Sequence, residues 1–205
     1  MESQTTAISI REMTDADLPA VLEIFNREVV ESPYLYVETP VTFDDRWIWL
    51  DQHREASLPV LVAVDLHEPA RILGYASLSP YRASSGYRFT GEVSVYVARF
   101  AQRRGIAGRL LSALFDEARA RDLHVLVASI DSENAPSIAL FSRLGFAEAA
   151  RLREVGRKFD RWRSAQARWK RSGDAGRRLP EDPDYERALS MRTAAIIAVP
   201  SGIQR

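Results

Sequence analysis

The sequence predicts a mixed α/β domain followed by an atypical C-terminal tail, and three observations carry that reading. Val93, Val95 and Val97 alternate with Ser94 and Tyr96, which is the period of a strand with one strongly apolar face; small residues and an apolar helix pattern follow. Two more apolar runs, at 59–64 and 72–78, are separated by a short turn and read as a hairpin leading into that strand. Periodicity is then lost abruptly after Arg161. The expected division is one domain over residues 1–162 and a divergent extension over 163–205.

Taken in order, Ile8 and Ile10 suggest a short first strand ending at Arg11. Thr14 is placed to cap the next segment, with Asp17 as a short substitute in a capping box. Leu18, Val21, Leu22 and Phe25 recur at helical spacing and predict a helix to about Val30, which Ser32-Pro33 breaks. An irregular aromatic connector, Tyr34 to Pro40, leads to a second helix rich in Trp47, Trp49 and Leu50. Pro59 to Val64 and Ile72 to Leu78 are the hairpin strands, Gly74 marking a bulge or a close contact. After a polar loop carrying Arg82, Thr90 to Val97 supplies the central strand. Leu110, Leu111, Leu114 and Ala118 stripe a helix over Arg109 to Arg121, and His124 to Ile130 is the next strand. Pro136 suits an early helical position, Ile138, Leu140, Phe141 and Leu144 build that helix, and Gly145 can end it. Ala147 to Val155 returns as a strand. Beyond it, residues 163–171 read as too polar for a buried strand, residues 173–185 as disorder or loose linker, and Ile196 to Val199 as a short apolar run that could supply the missing strand.

Composition narrows the function. Lys and Arg total 28, as do Asp and Glu, so net charge gives no argument for a nucleic acid or a membrane surface. Without cysteine there are no disulfides, thiolate catalysis or cysteine metal sites, and three scattered histidines argue against a metal centre. The N-terminus is polar and the run Ala194 to Pro200 is too short to span a bilayer, making cytoplasmic residence the expectation.

Behind the central strand comes Gln102-Arg103-Arg104-Gly105-Ile106-Ala107-Gly108. Small residues let successive backbone N–H groups converge, and the first turn of the following helix adds unpaired N–H groups and a favourable dipole. This is an anion cradle, suited to a pyrophosphate. Here the chain resembles the GCN5-related N-acetyltransferase superfamily, in its Gln/Arg-x-x-Gly-x-Gly/Ala motif. Glu38-Thr39-Pro40-Val41-Thr42, Gly86-Tyr87, Glu92 before Ser94-Val95-Tyr96-Val97, Asn134-Ala135-Pro136-Ser137-Ile138, Leu144-Gly145-Phe146 and Val155-Gly156-Arg157-Lys158-Phe159 make it similar to the phosphinothricin and methionine sulfoximine acetyltransferases. The blocks occur in order over about residues 8 to 162.

The resemblance implies a central, mostly antiparallel sheet flanked by helices, acetyl-coenzyme A as co-substrate with no metal, a small amino-acid-like amine as acceptor, and a homodimer. It implies that Val95, Tyr96 and Val97 bind pantetheine through their backbone, that Gln102, Arg103, Arg104, Gly105, Ile106, Ala107, Gly108 and Arg109 surround the pyrophosphate, and that Asn134 and Ser137 meet the pantetheine. Asn134 can equally be a helix cap, and the arginines ordinary solvated charge at a helix start. Glu92 is the first choice for general base, since a partly buried carboxylate can have its proton affinity raised; an isolated glutamate at a strand start is otherwise a surface residue. Arg82 suits an acceptor carboxylate, which a guanidinium meets at both oxygens. Tyr36 and Glu38 would face the acceptor, while Lys158 is left without a role.

Two positions depart from the family pattern. Relatives often carry histidine directly after the glutamate, where this chain has Val93; Phe141 occupies a helix position at which tyrosine or histidine donates a proton. No general acid is assigned, and a non-catalytic acyl-coenzyme A binding protein is the competing class.

Overall fold

The computed structural model describes residues 7–173, which form one seven-stranded sheet in the order β1-β2-β3-β4-β5-β7-β6. The strands are β1 (Ile8–Glu12), β2 (Val60–Asp65), β3 (Ile72–Pro80), β4 (Thr90–Val97), β5 (Val125–Asp131), β6 (Ala147–Lys158) and β7 (Arg161–Arg171). Four helices accompany them: α1 (Leu18–Glu31), α2 (Phe43–Glu55), α3 (Ile106–Ala120) and α4 (Ala135–Arg143). All pairings are antiparallel except β4 with β5. None of these helices is long and apolar enough to cross a membrane.

Local chemistry sets the helix starts. The Asp17 carboxylate accepts from the Thr14 amide and hydroxyl, both at 2.8 Å, in the short capping arrangement expected there. Thr42 and Asp45 do the same for α2, where the Asp45 amide donates to the Thr42 hydroxyl at 3.1 Å and Asp45 accepts from the Thr42 amide at 2.9 Å. The two faces of the sheet are covered separately. Phe25 of α1 meets Tyr96 edge-on with ring centroids 5.7 Å apart, and Trp49 of α2 meets Tyr75 at 6.2 Å. On the other face Leu78 and Leu126 close around Gly91 with Leu123, which follows α3. The core there is Leu110, Leu111 and Leu114 of α3, all fully buried.

The site depends on one departure from regular pairing. β4 stays paired with β3 as far as Val97, whereas its parallel pairing with β5 ends at Glu92↔Val127. From Val93 onward the two strands part, so β4 presents an open edge. Gly74 belongs to this region as a close approach: a Cβ there would lie 2.6 Å from the Tyr96 carbonyl oxygen, and β2 shifts register opposite it, between Ala63 and Val64.

The expectation that the chain has no buried strand after Arg161 is overturned. β7 lies between β5 and β6, pairing with β5 over residues 165–171 and with β6 over residues 161–169, so the expected boundary at 162 falls inside it. Its inward side chains are polar, which is why an apolar pattern is missing: Arg163, Gln166, Arg168 and Lys170 are all buried. Arg168 donates to the Phe146 carbonyl at 2.8 Å and to the Ser142 hydroxyl at 2.9 Å. Lys170 donates to the Leu144 carbonyl at 3.1 Å and stands over the Phe115 ring. The apolar run at 196–199 and the expected linker beyond residue 173 lie outside the described residues.

Candidate functional site

Glu92 stands at the last β4–β5 pair, where the strands separate. It is partly buried, and burial pushes its carboxyl up from the ordinary glutamate value; a 2.9 Å hydrogen bond from the Ser129 hydroxyl opposes that without cancelling it. Ser94 and Tyr96 follow on the same face. The Tyr96 ring is stacked on Tyr75 with centroids 5.0 Å apart, and burial pushes its hydroxyl up to about 12. It is therefore a neutral phenol at physiological pH.

A buried cation underlies this aromatic group. Arg46, 5 % exposed, lies 4.0 Å from the Phe25 ring centre and 4.3 Å from that of Trp49, and donates to the Tyr75 hydroxyl at 3.0 Å. Nothing in the pattern of α2 marked Arg46, because a guanidinium between rings has no sequence period.

The loop after β4 has the form expected of an anion cradle. Gly105 takes φ 75°, a left-handed conformation that costs glycine nothing, and this lets α3 begin at Ile106, three residues earlier than the apolar stripe indicated. The first N–H groups of α3 thus stand directly behind the turn. Around the positions a Cβ would take at Gly105 and Gly108 there is open space. Gln102 donates to the Val97 carbonyl at 3.4 Å, folding the loop back on β4, and Ile106 is buried, so only its backbone can serve a ligand. Arg103 and Arg104 are exposed at the loop, but Arg109 turns away and donates to the Ile8 carbonyl at 2.7 Å. An open strand edge followed by backbone N–H donors and clear space fits a pantetheine arm ending in a pyrophosphate.

Asn134 caps α4, its amide oxygen accepting from the Ser137 amide at 3.2 Å; its NH2 group is the end left to donate. The helix-cap role is thus present. Phe141 is buried and meets Phe146 edge-on at 5.0 Å, and Val93 is core on the opposite side of β4 from Glu92. Neither departure from the family pattern offers a proton.

The acceptor candidates divide. Arg82, in the loop between β3 and β4, packs beside the edge-on pair of Tyr81 and Tyr87, its guanidinium carbon 5.3 and 5.5 Å from their ring centres and its buried Nε atom unpartnered. Glu38 is exposed, near enough to Lys158 to favour that ammonium. The Tyr36 hydroxyl is already engaged: it donates to Asp131 at 2.8 Å, lies 3.1 Å from the Ser164 carbonyl oxygen, and its ring packs against Gly156. Burial and the Asp131 carboxylate raise that hydroxyl well above the usual phenol range. Tyr36 therefore ties the connector after α1 to β5 and β7.

Lys158 completes that tie. It is 1 % exposed, and its ammonium donates to the Val29 carbonyl at 2.6 Å and to that of Val37, holding the end of α1 and the connector to the β6–β7 hairpin. Burial lowers its proton affinity. Among the described residues no cluster of three or more His, Asp or Glu could hold a metal ion.

Residues 19–146 match the acetyltransferase (GNAT) family. This chain belongs to that family. It is closely related to its phosphinothricin and methionine sulfoximine acetyltransferases. It is 44 % identical over 154 residues to an L-methionine sulfoximine/L-methionine sulfone acetyltransferase of Pseudomonas paraeruginosa, covering 75 % of this chain and 88 % of the relative. A phosphinothricin N-acetyltransferase of Streptomyces coelicolor is 40 % identical over 159 residues, 77 % of this chain and 92 % of its own. Among solved structures, a phosphinothricin acetyltransferase from Sinorhizobium meliloti in complex with AcCoA superposes with a TM-score of 0.77 at 28 % identity, over 85 % of this chain and 94 % of that one. The GNAT assignment makes the protein an acetyltransferase whose fold binds acetyl-coenzyme A.

Proposed function

We propose that this acetyltransferase acetylates the amine of a small amino-acid-like acceptor of the phosphinothricin or methionine sulfoximine kind, by direct attack in a ternary complex, with Glu92 as the general base. The observation that carries the reading is Glu92 itself, a carboxylate of raised proton affinity where β4 leaves β5. An amine must lose its proton before it can attack, and a carboxylate short of hydrogen-bond donors takes that proton readily.

The co-substrate supplies an acetyl thioester along the open edge of β4. Backbone N–H groups on that edge are preorganised dipoles for the developing oxyanion. The acceptor ammonium gives one proton to Glu92, the free amine adds to the thioester carbonyl to form the N–C bond and an oxyanion, and collapse of that adduct breaks the C–S bond. The second proton shed by the nitrogen passes through water to the departing thiolate, since Phe141 has no proton to give. Arg82, whose Nε lacks a partner, is the group for the acceptor carboxylate. A second copy of the chain is proposed to dock on the β6–β7 hairpin, where Val155, Phe159 and Trp162 are exposed together; a single-protomer mass by light scattering across the working concentration range would reject it.

The test is release of free thiol from acetyl-coenzyme A with phosphinothricin, methionine sulfoximine, methionine sulfone, ordinary amino acids and no amine. Turnover that requires one of the amino-acid-like acceptors, and is lost in Glu92→Gln with the co-substrate still bound, supports the reading. Binding without turnover on any acceptor would favour a non-catalytic acyl-coenzyme A binding protein.

A further inference from the structure

Ser79 of β3 and Glu92 of β4 are direct partners in the antiparallel register. Their side chains therefore leave the sheet on the same face, with Cβ atoms about 4.5–5.5 Å apart. Behind Ser79 stands His53 of α2, 6 % exposed, with its ring 4.4 Å from that of Trp49. Its Nδ1 lies 2.7 Å from the Trp49 carbonyl oxygen and its Nε2 lies 3.1 Å from the Ser79 hydroxyl.

These two contacts determine where the protons are. A carbonyl oxygen only accepts, so Nδ1 carries the ring proton. Burial, and to a lesser degree the charge of Arg46, hold the ring below its ordinary value, against the support of the Trp49 carbonyl, so it is neutral at physiological pH. Nε2 of that tautomer has only a lone pair, and Ser79 must donate to it.

We propose that His53 is a positioning residue for Glu92: by engaging the Ser79 hydroxyl proton it withholds that donor from the carboxylate and keeps Glu92 ready to take a proton from an ammonium. Ser129 is then the one hydroxyl, among the described residues, that donates to Glu92. The inference rests on Glu92 acting as the base. The other charged or titratable groups around the pair are Arg46 beside His53, Tyr75 on the same face of β3 as Ser79, Tyr96 and Glu28 on the Glu92 side, and Glu12, Arg54 and Arg121 lining the cavity, about 290 Å³, that His53 borders. Each of them is left in place by the variants below.

Titration of the Glu92 carboxyl by 13C NMR, assigned with Glu92→Gln, reads the effect without turnover. His53→Phe frees the Ser79 hydroxyl to turn toward Glu92, and the midpoint is expected to fall by about one pH unit, the effect of one hydrogen bond to a charged group. His53→Gln, which keeps an acceptor, should leave the midpoint near its original value, and so should His53→Phe in a Ser79→Ala background. An unmoved midpoint in folded His53→Phe, or the same fall in the Ser79→Ala background, overturns the proposal. Should His53→Phe not fold, 15N shifts of the unmodified protein decide: a proton on Nδ1 and none on Nε2 is required, and the opposite tautomer overturns it. Failure of the catalytic reading is separately visible, as turnover persisting in Glu92→Gln.

Discussion

Arg163 donates through Nε and Nη2 to the two carboxylate oxygens of Asp131, each at 2.8 Å, and their side chains are 2 % and 1 % exposed. A forked pair this deep is strongly unfavourable to halve, because the remaining charge stays buried. Arg163→Ala should cost about 3–5 kcal/mol by chemical denaturation. Arg163→Lys should recover only part of that, since an ammonium cannot meet both oxygens.

The same pair sets the acid limit of the fold. Burial alone would raise Asp131, but hydrogen bonds from Arg163, the Glu133 amide and Tyr36 outweigh it and hold the carboxyl below its ordinary value. A group lowered in the folded state contributes stability above its unfolded value, about 3.9, and loses it as pH falls through the folded one. Stability measured from pH 7 downward should therefore drop from about pH 4, and the drop should be shallower in Arg163→Ala than in the unmodified protein.

Glu92 carries the opposite sign. Its folded value is raised, so ionising it works against the fold as pH climbs from the unfolded value through the folded one. Glu92→Gln should thus be more stable than the unmodified protein at pH 8, with the gap closing as pH falls toward the ordinary glutamate value, while turnover falls about 100-fold or more. Denaturation curves at several pH values check the first part and thiol release the second. Equal stabilities at pH 8 would contradict a raised Glu92.

Removing the Lys158 ammonium should loosen the acceptor side selectively. Lys158→Met keeps much of the stem but strands the Val29 and Val37 carbonyls, at a cost of about 1–3 kcal/mol for each left without water. Because those carbonyls hold the connector after α1, the Michaelis constant for the acceptor should rise while that for acetyl-coenzyme A stays within about twofold. A rise confined to acetyl-coenzyme A would reject this role.

Gly74→Ala probes the strand pair that carries the site. The added methyl would meet the Tyr96 carbonyl and the Val97 Cα, both backbone, so β4 must move. Overpacking of this kind costs about 1–3 kcal/mol, and activity should fall further than stability alone accounts for, read as turnover of the fully folded variant at low temperature.

Much of this was legible in the sequence because it rested on periodicity and on small residues. β4 was bounded at Thr90 and Val97 by alternation, and the Gly105 turn by the crowding of glycines before an apolar stripe. β7 was not legible, since its buried positions are Arg163, Gln166, Arg168 and Lys170, whose partners come from β5, α4 and the turn after it. Polar residues facing inward invert the signal that hydropathy reads. Tyr36 was placed in the right connector, but its hydroxyl partners, Asp131 and Ser164, lie far away in sequence. For Arg46 and His53 only the folded face reveals the neighbours, as ring stacking and cross-strand register leave no local pattern.

The position of β7 also governs when the protein can be completed. The last described strand in the sequence is not an edge but the link between β5 and β6, so a nascent chain that has emerged only as far as Lys158 holds β6 without its neighbour and β5 with a bare edge. Asp131 at that moment has a hydroxyl from Tyr36 within reach and no cation. The half of the sheet that braces the acceptor connector therefore closes last, by pairing between residues far apart in the chain, and synthesis must pass Arg171 before the site has its far wall.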